Sequence, residues 1–553
     1  MKTNIHAQSG KFKAIILAAL VAAITPASAV VTQSLIQKTG AVLPISTSPK
    51  IALGAKWTDF GRPSLTDYGQ NLGYLGSYYG FGFKGTAIFH GPYSAPNVFV
   101  KIGDFSSDKT GASTSTSPKF TEFKDPVFGN EQFWAVRAKD TSGASGIWAG
   151  HADKHRLIAQ VGAVVPNPTM DSRLPAGSTF IQLGQLQQVP ERTLYFTATV
   201  KVSGIARKSL WRYRSTLPGS YVNGADAHLV LIEGETRTPY GTVTGPVSNI
   251  LALGAQTDKT SSHGRMDAIT GEIPIRYTCL FAGKLHQVVA TVDTAGNVTT
   301  QLASKLAPGL PFGLPNFGTV FSGADLPANP GNIVTGVTLT PDTGLGITPP
   351  DALRMLDTNV PLFKAVRNAF SPDSVGIALG PQKYSSFFSP VCGYANGFTT
   401  DVSLSFVAGL QNLASASVFS NFGPLYPTVC KVADRTDVAT GTSGTYASFD
   451  YLSHMHGKGP LVDGKFRVTT PPFIRHGLWG GDPSTGLLVN LIKEGDNIGG
   501  IVQSFECLAP VNGSIGQRRV WVYSISPVAS PERPVTMKVT FQTGERGIVV
   551  VKY

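Results

Sequence analysis

The sequence predicts an all-β fold, a β-propeller of about eight (seven to eight) four-stranded blades whose ring is closed by an N-terminal strand. Three observations carry this expectation. Short apolar runs are punctuated throughout by turn residues, with 61 Gly and 38 Pro in 553 residues. A phrase built on an aromatic residue, a turn and a strand ending in a small residue recurs along the chain. A second marker, F-x-x-P, precedes each copy at a spacing that suits one supersecondary unit.

The N-terminus reads as an export signal occupying residues 1–29. Lys11 and Lys13 give a basic flank, Ala14–Ile24 is an apolar run of eleven residues, and Ala27–Ser28–Ala29 supplies small residues for cleavage after about Ala29. Eleven apolar residues are too few to cross a bilayer as a helix, and no later run reaches about 18. The expected chain is therefore a single propeller domain over residues 30–553, secreted, periplasmic or at the cell surface, with no membrane span once the signal is removed.

The repeat begins straight after the signal. "LIQKTGAVLP" (Leu35–Pro44) shares six of ten positions with "LIAQVGAVVP" (Leu157–Pro166), which closes a later unit. The mature chain thus opens on a closing strand with no unit of its own, and its natural home is the last unit, where it would hide two sheet edges. The C-terminal run Arg546–Tyr553 competes for the same place.

The anchors of the units fall near Phe60, Phe123, Leu183, Ile250, Phe321, Phe387, Phe449 and Phe505, separated by 63, 60, 67, 71, 66, 62 and 56 residues. F-x-x-P is explicit in Phe60–Pro63, Phe123–Pro126 and Phe387–Pro390, and Leu replaces the proline after Phe449 and Phe505. A second apolar run follows each anchor, as in Glu131–Ala138, Thr193–Val202 and Val402–Leu410. The third element carries the recurring aromatic: Phe89, Trp148, Trp211, Phe419 and Trp479, with Arg354 in its place once. Fourteen residues beyond Phe89 and Trp148 stand Gly103 and Gly162, which end the fourth run. Alternating apolar residues over five to eight positions describe half-buried antiparallel strands. Recurrence of Trp148, Trp211 and Trp479 at one place in the unit marks them as packing residues between blades, although a sugar platform uses the same side chain.

This unit, F-x-x-P, an apolar strand, a G-I-W-like strand and "LIA-x-x-G", resembles the tandem repeats of uncharacterised bacterial secreted proteins. It is also distantly similar to the blades of TolB-like propellers. The resemblance implies the fold and the exported location, and transfers no catalytic residue.

Charge and motifs narrow the function. The chain is formally +12, or +9 without Lys2, Lys11 and Lys13, which suits an acidic polysaccharide or an anionic surface, but the basic residues are spread rather than clustered. Export excludes nucleic acid as a partner. Cys279, Cys392, Cys430 and Cys507 form no C-x-x-C, and spacing does not decide between disulfides and buried thiols. Phosphate-loop, zinc-protease, nucleophile-elbow and EF-hand patterns do not occur, and no cofactor is expected. "KDTSGASGIW" (Lys139–Trp148) echoes the Asp box of sialidases with longer gaps.

The candidate site is "SHMHGKG" (Ser453–Gly459). In an extended segment His454 and His456 point the same way and could share a metal or an acidic substrate, with His476 or Asp450 contributed from elsewhere; two surface turn histidines fit the same sequence. His151 and His155 read as solvated. The expected function is a non-enzymatic binding or interaction scaffold at the envelope or outside the cell, its partner a polysaccharide or another envelope protein. The alternative is a polysaccharide lyase or hydrolase acting on an acidic polysaccharide, with His454 or His456 as base and Lys458 and Arg475 facing the uronate carboxylate. A structural surface or matrix component is the third reading.

Overall fold

In a computed structural model the chain forms eight sheets, each of four principal strands, in sequential order. The description covers residues between 30 and 553, omitting 45–50, 216–226, 254–272, 304–316, 326–332, 340–350, 395–401, 507–533 and shorter runs of one to five residues. Residues 1–29, where the export signal is expected, lie outside it. Among the described residues no helix forms.

Each blade is a meander of strands A to D. In blade 2 they are Phe120–Phe128, Phe133–Asp140, Ser145–His151 and Lys154–Gln160; in blade 7 they are Thr445–Met455, Gly459–Arg467, Ile474–Asp482 and Leu487–Lys493. Each blade touches the next, and blade 8 touches blade 1 as well as blade 7, so the sheets follow one another in a closed ring. Blade 8 is assembled from both termini. Its strands A to C are Val502–Glu506, Pro534–Phe541 and Arg546–Lys552, and Thr32–Lys38 pairs antiparallel with the last of these as strand D. The expected closure is therefore formed, and Arg546–Lys552 is the third strand of that blade. Gln33 Nε2 reaches the Leu491 carbonyl at 2.7 Å and Asp496 Oδ2 at 3.1 Å, fastening the closing strand to blade 7.

The two sequence markers have separate physical causes. F-x-x-P is a break in strand A: in blade 2 the register slips between Lys124 and Val127, and in blade 6 between Phe388 and Val391. Proline has no N–H for the ladder, so it sits where the strand bulges. In blade 1 the break is complete, with Lys56–Phe60 and Ser64–Thr66 pairing separately with Asn71–Gly80. The anchor side chains turn inward: Phe60, Phe123, Leu183, Ile250 and Phe505 are all buried.

The closing glycine is the hinge between blades. Gly40, Gly103, Gly162, Gly234 and Gly495 all have φ between 83° and 96°. Each donates its N–H to the first core residue of the following strand A, at Trp57, Phe120, Phe180, Val247 and Val502, over 2.7–2.9 Å. That residue's own N–H returns to the carbonyl just after the glycine. A left-handed residue at this point lets the chain leave one sheet and bond at once to the next, which glycine does without a Cβ penalty.

The strand C aromatics fill the layer between blades, as the repeat predicts. Trp148 and Trp479 are almost fully buried and lie edge-on to Phe120 and Tyr446, with centroids 5.1 and 5.0 Å apart. Residues of blade 1 (Ile88, Phe99, Val100) complete the cluster around Trp148. Trp57 and Trp134 are buried too, with indole N–H groups bonded to Gln37 Oε1 at 2.9 Å and to the Ala152 carbonyl at 2.8 Å.

A candidate functional site at one end of the ring

Strand polarity gives the propeller two unlike ends. The A–B and C–D turns gather at one, and the B–C turns and the links from D to the next A gather at the other. His454 belongs to the first end: it closes strand A of blade 7, paired with Pro460 across the A–B turn. Arg475 belongs to the second, paired with Phe466, which in turn pairs with Tyr446 at the start of strand A. Their partners on strand B, Pro460 and Phe466, are six positions apart, so the two candidates are about 20 Å apart along the blade. The sequence grouping of His454 with Arg475 is corrected by strand reversal. His456 and Lys458 lie outside the described residues, as does the His454 side chain, and with them the metal expectation. Among the described residues no three His, Cys, Asp or Glu side chains form a metal site.

The second end holds what the sequence did not single out. His476 Nε2 contacts Asp463 Oδ1 on the face of blade 7 turned toward blade 8. The imidazole lies flat on Phe505, the anchor of blade 8, with centroids 4.1 Å apart and planes 8° apart. Glu494 Oε2 accepts the His476 backbone N–H at 3.0 Å, and Lys465 reaches Asp450 at 3.9 Å. Burial first, and then the charge of Asp450, push the Asp463 carboxyl up, and its hydrogen bond to His476 does not undo this. Burial opposes protonation of His476, but the Asp463 hydrogen bond and charge, with Glu494 and Asp450 nearby, raise its pKa above the ordinary value. The pair therefore holds a proton tightly. Of the residues the sequence singled out, the structure places His476 in this pair with Asp450 close by; Asp463 was missed because it is one acid inside an apolar strand.

Between blades 2 and 3, at the same end, a cavity of about 340 Å³ opens to solvent. Its lining includes Lys124, Arg137 and Lys139 with Glu122, beside Ser145 and Gln182. Glu122 Oε1 is 2.8 Å from Lys124 Nζ and its Oε2 3.3 Å from Lys139 Nζ. The Lys124 hydrogen bond, then that of Lys139, holds the Glu122 carboxyl below the usual range. The floor is apolar, from Ala138, Val161, Leu183 and the exposed Ile181.

Other sequence readings resolve more simply. His155, expected in solvent, has its ring against Phe120 at 5.4 Å and Trp134 at 5.9 Å, because its strand D position turns it into the blade. Cys279 and Cys430 are buried free thiols, and burial pushes the Cys279 thiol up to about 11. The Cys392 side chain and Cys507 lie outside the described residues. In the Asp-box-like segment, Asp140 Oδ1 accepts the backbone N–H of Ser142 at 3.0 Å and caps the B–C turn.

No family model matches the chain, and no curated protein matches it. Among solved structures, it is similar to an oligogalacturonate lyase in complex with manganese (8% identity, TM-score 0.34, covering 90% of this chain and 97% of that one). It is similar also to an ulvan lyase of a polysaccharide lyase family (11% identity, TM-score 0.29, covering 83% and 97%). A third is a Trypanosoma rangeli sialidase (8% identity, TM-score 0.27), where 81% of this chain spans 58% of the sialidase. At these identities no residue of the site transfers from any of them.

Proposed function

We propose that the chain is an exported binding scaffold, secreted or periplasmic in a bacterium, that holds an anionic ligand at the B–C end of the ring. The carrying observation is the open cavity between blades 2 and 3. It is lined by fixed cations, an amide and a hydroxyl, groups that attract and orient an anion. The His476–Asp463 pair, by contrast, is built into the seam between blades 7 and 8, where the ring is fastened. The pattern of residues 1–29 supports export, and the chain's charge of +12 supports an acidic partner.

The test is a pull-down of the mature chain, from Val30, on acidic and neutral polysaccharides at low and physiological salt. Retention of a preference among acidic polymers at physiological salt, where the screening length is about 8 Å, supports a binding scaffold. Equal loss from all of them overturns it.

The alternative, a lyase on an acidic polysaccharide, draws on the oriented imidazole of His476, with Asp463 beneath it and Arg475 adjacent in strand C. β-Elimination leaves a new C=C bond, so incubation with uronate polymers followed by ultraviolet absorbance decides it. Steady product formation that is lost in His476→Gln would replace the scaffold reading.

A further inference from the structure

We infer that the cavity between blades 2 and 3 is a subsite for an acidic sugar residue, a uronate whose carboxylate meets Lys124, Arg137 and Lys139 while its ring lies on the apolar floor at Ile181. This rests on the scaffold reading and names its ligand. The inference comes from comparing one place in two blades. Val136 pairs with Trp148 and Val462 with Trp479, so the residues that follow, Arg137 and Asp463, occupy equivalent positions. By the same register Lys139 matches Lys465, and Ser145 matches His476.

In blade 7 this place is closed and balanced. Asp463 meets His476, Lys465 meets Asp450, and Phe505 covers the imidazole. In blade 2 the place is open: Lys124, Arg137, Lys139 and Glu122 line a cavity of about 340 Å³. Ser145 stands where blade 7 has a ring, and Ile181, the part of the apolar floor supplied by blade 3, is 42% exposed. Glu122 engages Lys124 and Lys139 from one side, which fixes both ammonium groups in position for an incoming anion instead of leaving them to sweep solvent.

The chemistry of the lining selects among anions. A free phosphate would use the charges and the Ser145 and Gln182 donors but leave the apolar side chains uncovered. A uronate has in addition an apolar C–H face for Ile181 and Leu183 and hydroxyls for Ser145 and Gln182. The volume lies near the lower end of ligand clefts and accommodates about one or two sugar rings. A longer polymer would run outward along the half-exposed Lys124 and Lys139 side chains, which are 56% and 49% exposed.

The experiment titrates the mature chain with an oligogalacturonate, a neutral oligoglucan of equal length and inorganic phosphate, by calorimetry at physiological salt. Two variants accompany it. Lys124→Glu with Lys139→Glu reverses charge at exposed positions, and Ser145→Tyr fills the cavity while leaving its charge intact; circular dichroism and melting confirm that both fold. The expected result is binding of the oligogalacturonate, weakened at least about tenfold by each variant, with no binding of the oligoglucan. Equal binding of phosphate at the same site overturns the sugar assignment. Binding of oligogalacturonate that neither variant changes overturns the location while leaving the scaffold reading intact. Failure of the wild-type chain to bind any acidic polymer in the pull-down removes both.

Discussion

A methyl group on Gly146 or Gly477 should destabilise the protein by about 2–3 kcal/mol, because the indole two residues on lies over the glycine. A Cβ at Gly146 would sit 2.6 Å from Trp148 Cζ3 and 2.7 Å from Cη2; at Gly477 it would sit 2.5 Å from Trp479 Cη2. Carbon atoms pack at about 3.5–4.0 Å, so the overlap is about 1 Å. The rings have nowhere to move. Trp148 is 1% exposed, edge-on to Phe120, and its N–H is bonded to the Ser107 carbonyl at 3.0 Å; Trp479 is bonded likewise to Thr440. Blade 3 shows the other solution. Ser209 replaces the glycine there, and Trp211 turns its N–H onto the Ser209 hydroxyl at 2.7 Å. Urea unfolding of Gly146→Ala, Trp148→Phe and the double variant isolates the clash. Phe removes the ring atoms that overlap, so the two changes should be non-additive by at least about 1 kcal/mol. Additive costs, or a Gly146→Ala cost below about 0.5 kcal/mol, would refute the steric account of the G-x-W phrase.

Three further outcomes follow from the same geometry. Gly162→Ala meets nothing within 4 Å but keeps φ at 85°, so it should cost about 1–2 kcal/mol from backbone strain alone, with Gly162→Asn costing less; equal costs in urea unfolding would contradict this. Removing Thr32–Lys38 uncovers the edge of Arg546–Lys552, and hydrogen exchange there should rise first, ahead of blades 2 and 3. The His476 pKa is raised, so its stabilising contribution is complete below about pH 6.5, its unfolded value, and is lost as pH rises through the higher folded value. The raised Asp463 pKa acts in the same direction. The wild-type urea midpoint should therefore fall with rising pH just above that value. His476→Gln leaves the Asp463 carboxyl buried and should cost about 3–5 kcal/mol. The double change Asp463→Leu with His476→Phe should restore much of this and flatten the pH slope, and an unchanged slope would refute the assignment.

The fold was legible because packing imposes the same demand in every blade. A proline-marked bulge, an inward anchor, a strand C aromatic and a left-handed glycine each solve a problem posed repeatedly by the ring, so they recur and can be counted. Even the closing strand was visible, since Gly40 must do for blade 8 what Gly162 does for blade 2, and the surrounding residues followed. His454 and Arg475 show where counting misled. They are 21 residues apart in sequence, yet the whole of strand B lies between them and carries the chain from one end of the ring to the other.

The residues of the proposed site were illegible for the opposite reason: they break the repeat. Arg137 and Asp463 occupy one position in two blades with opposite charge, and neither stands out in a composition where basic residues are evenly spread. Their meaning depends on neighbours from another blade, Ile181 in one case and Phe505 in the other, and the tilt of one sheet against the next decides whether the gap closes on a ring or stays open. A sequence signal did exist. Aligning the strand B residues by their partners to Trp148 and Trp479 exposes the substitution of Arg for Asp and of Ser for His at matched places. In a fold whose repeats are fixed by packing, a departure from the repeat at a partly exposed strand position is where selection has room to act on ligand. On that logic the asymmetry between the seams, closed by a ring between blades 7 and 8 and open between blades 2 and 3, separates the place that holds the ring together from the place proposed to meet a ligand.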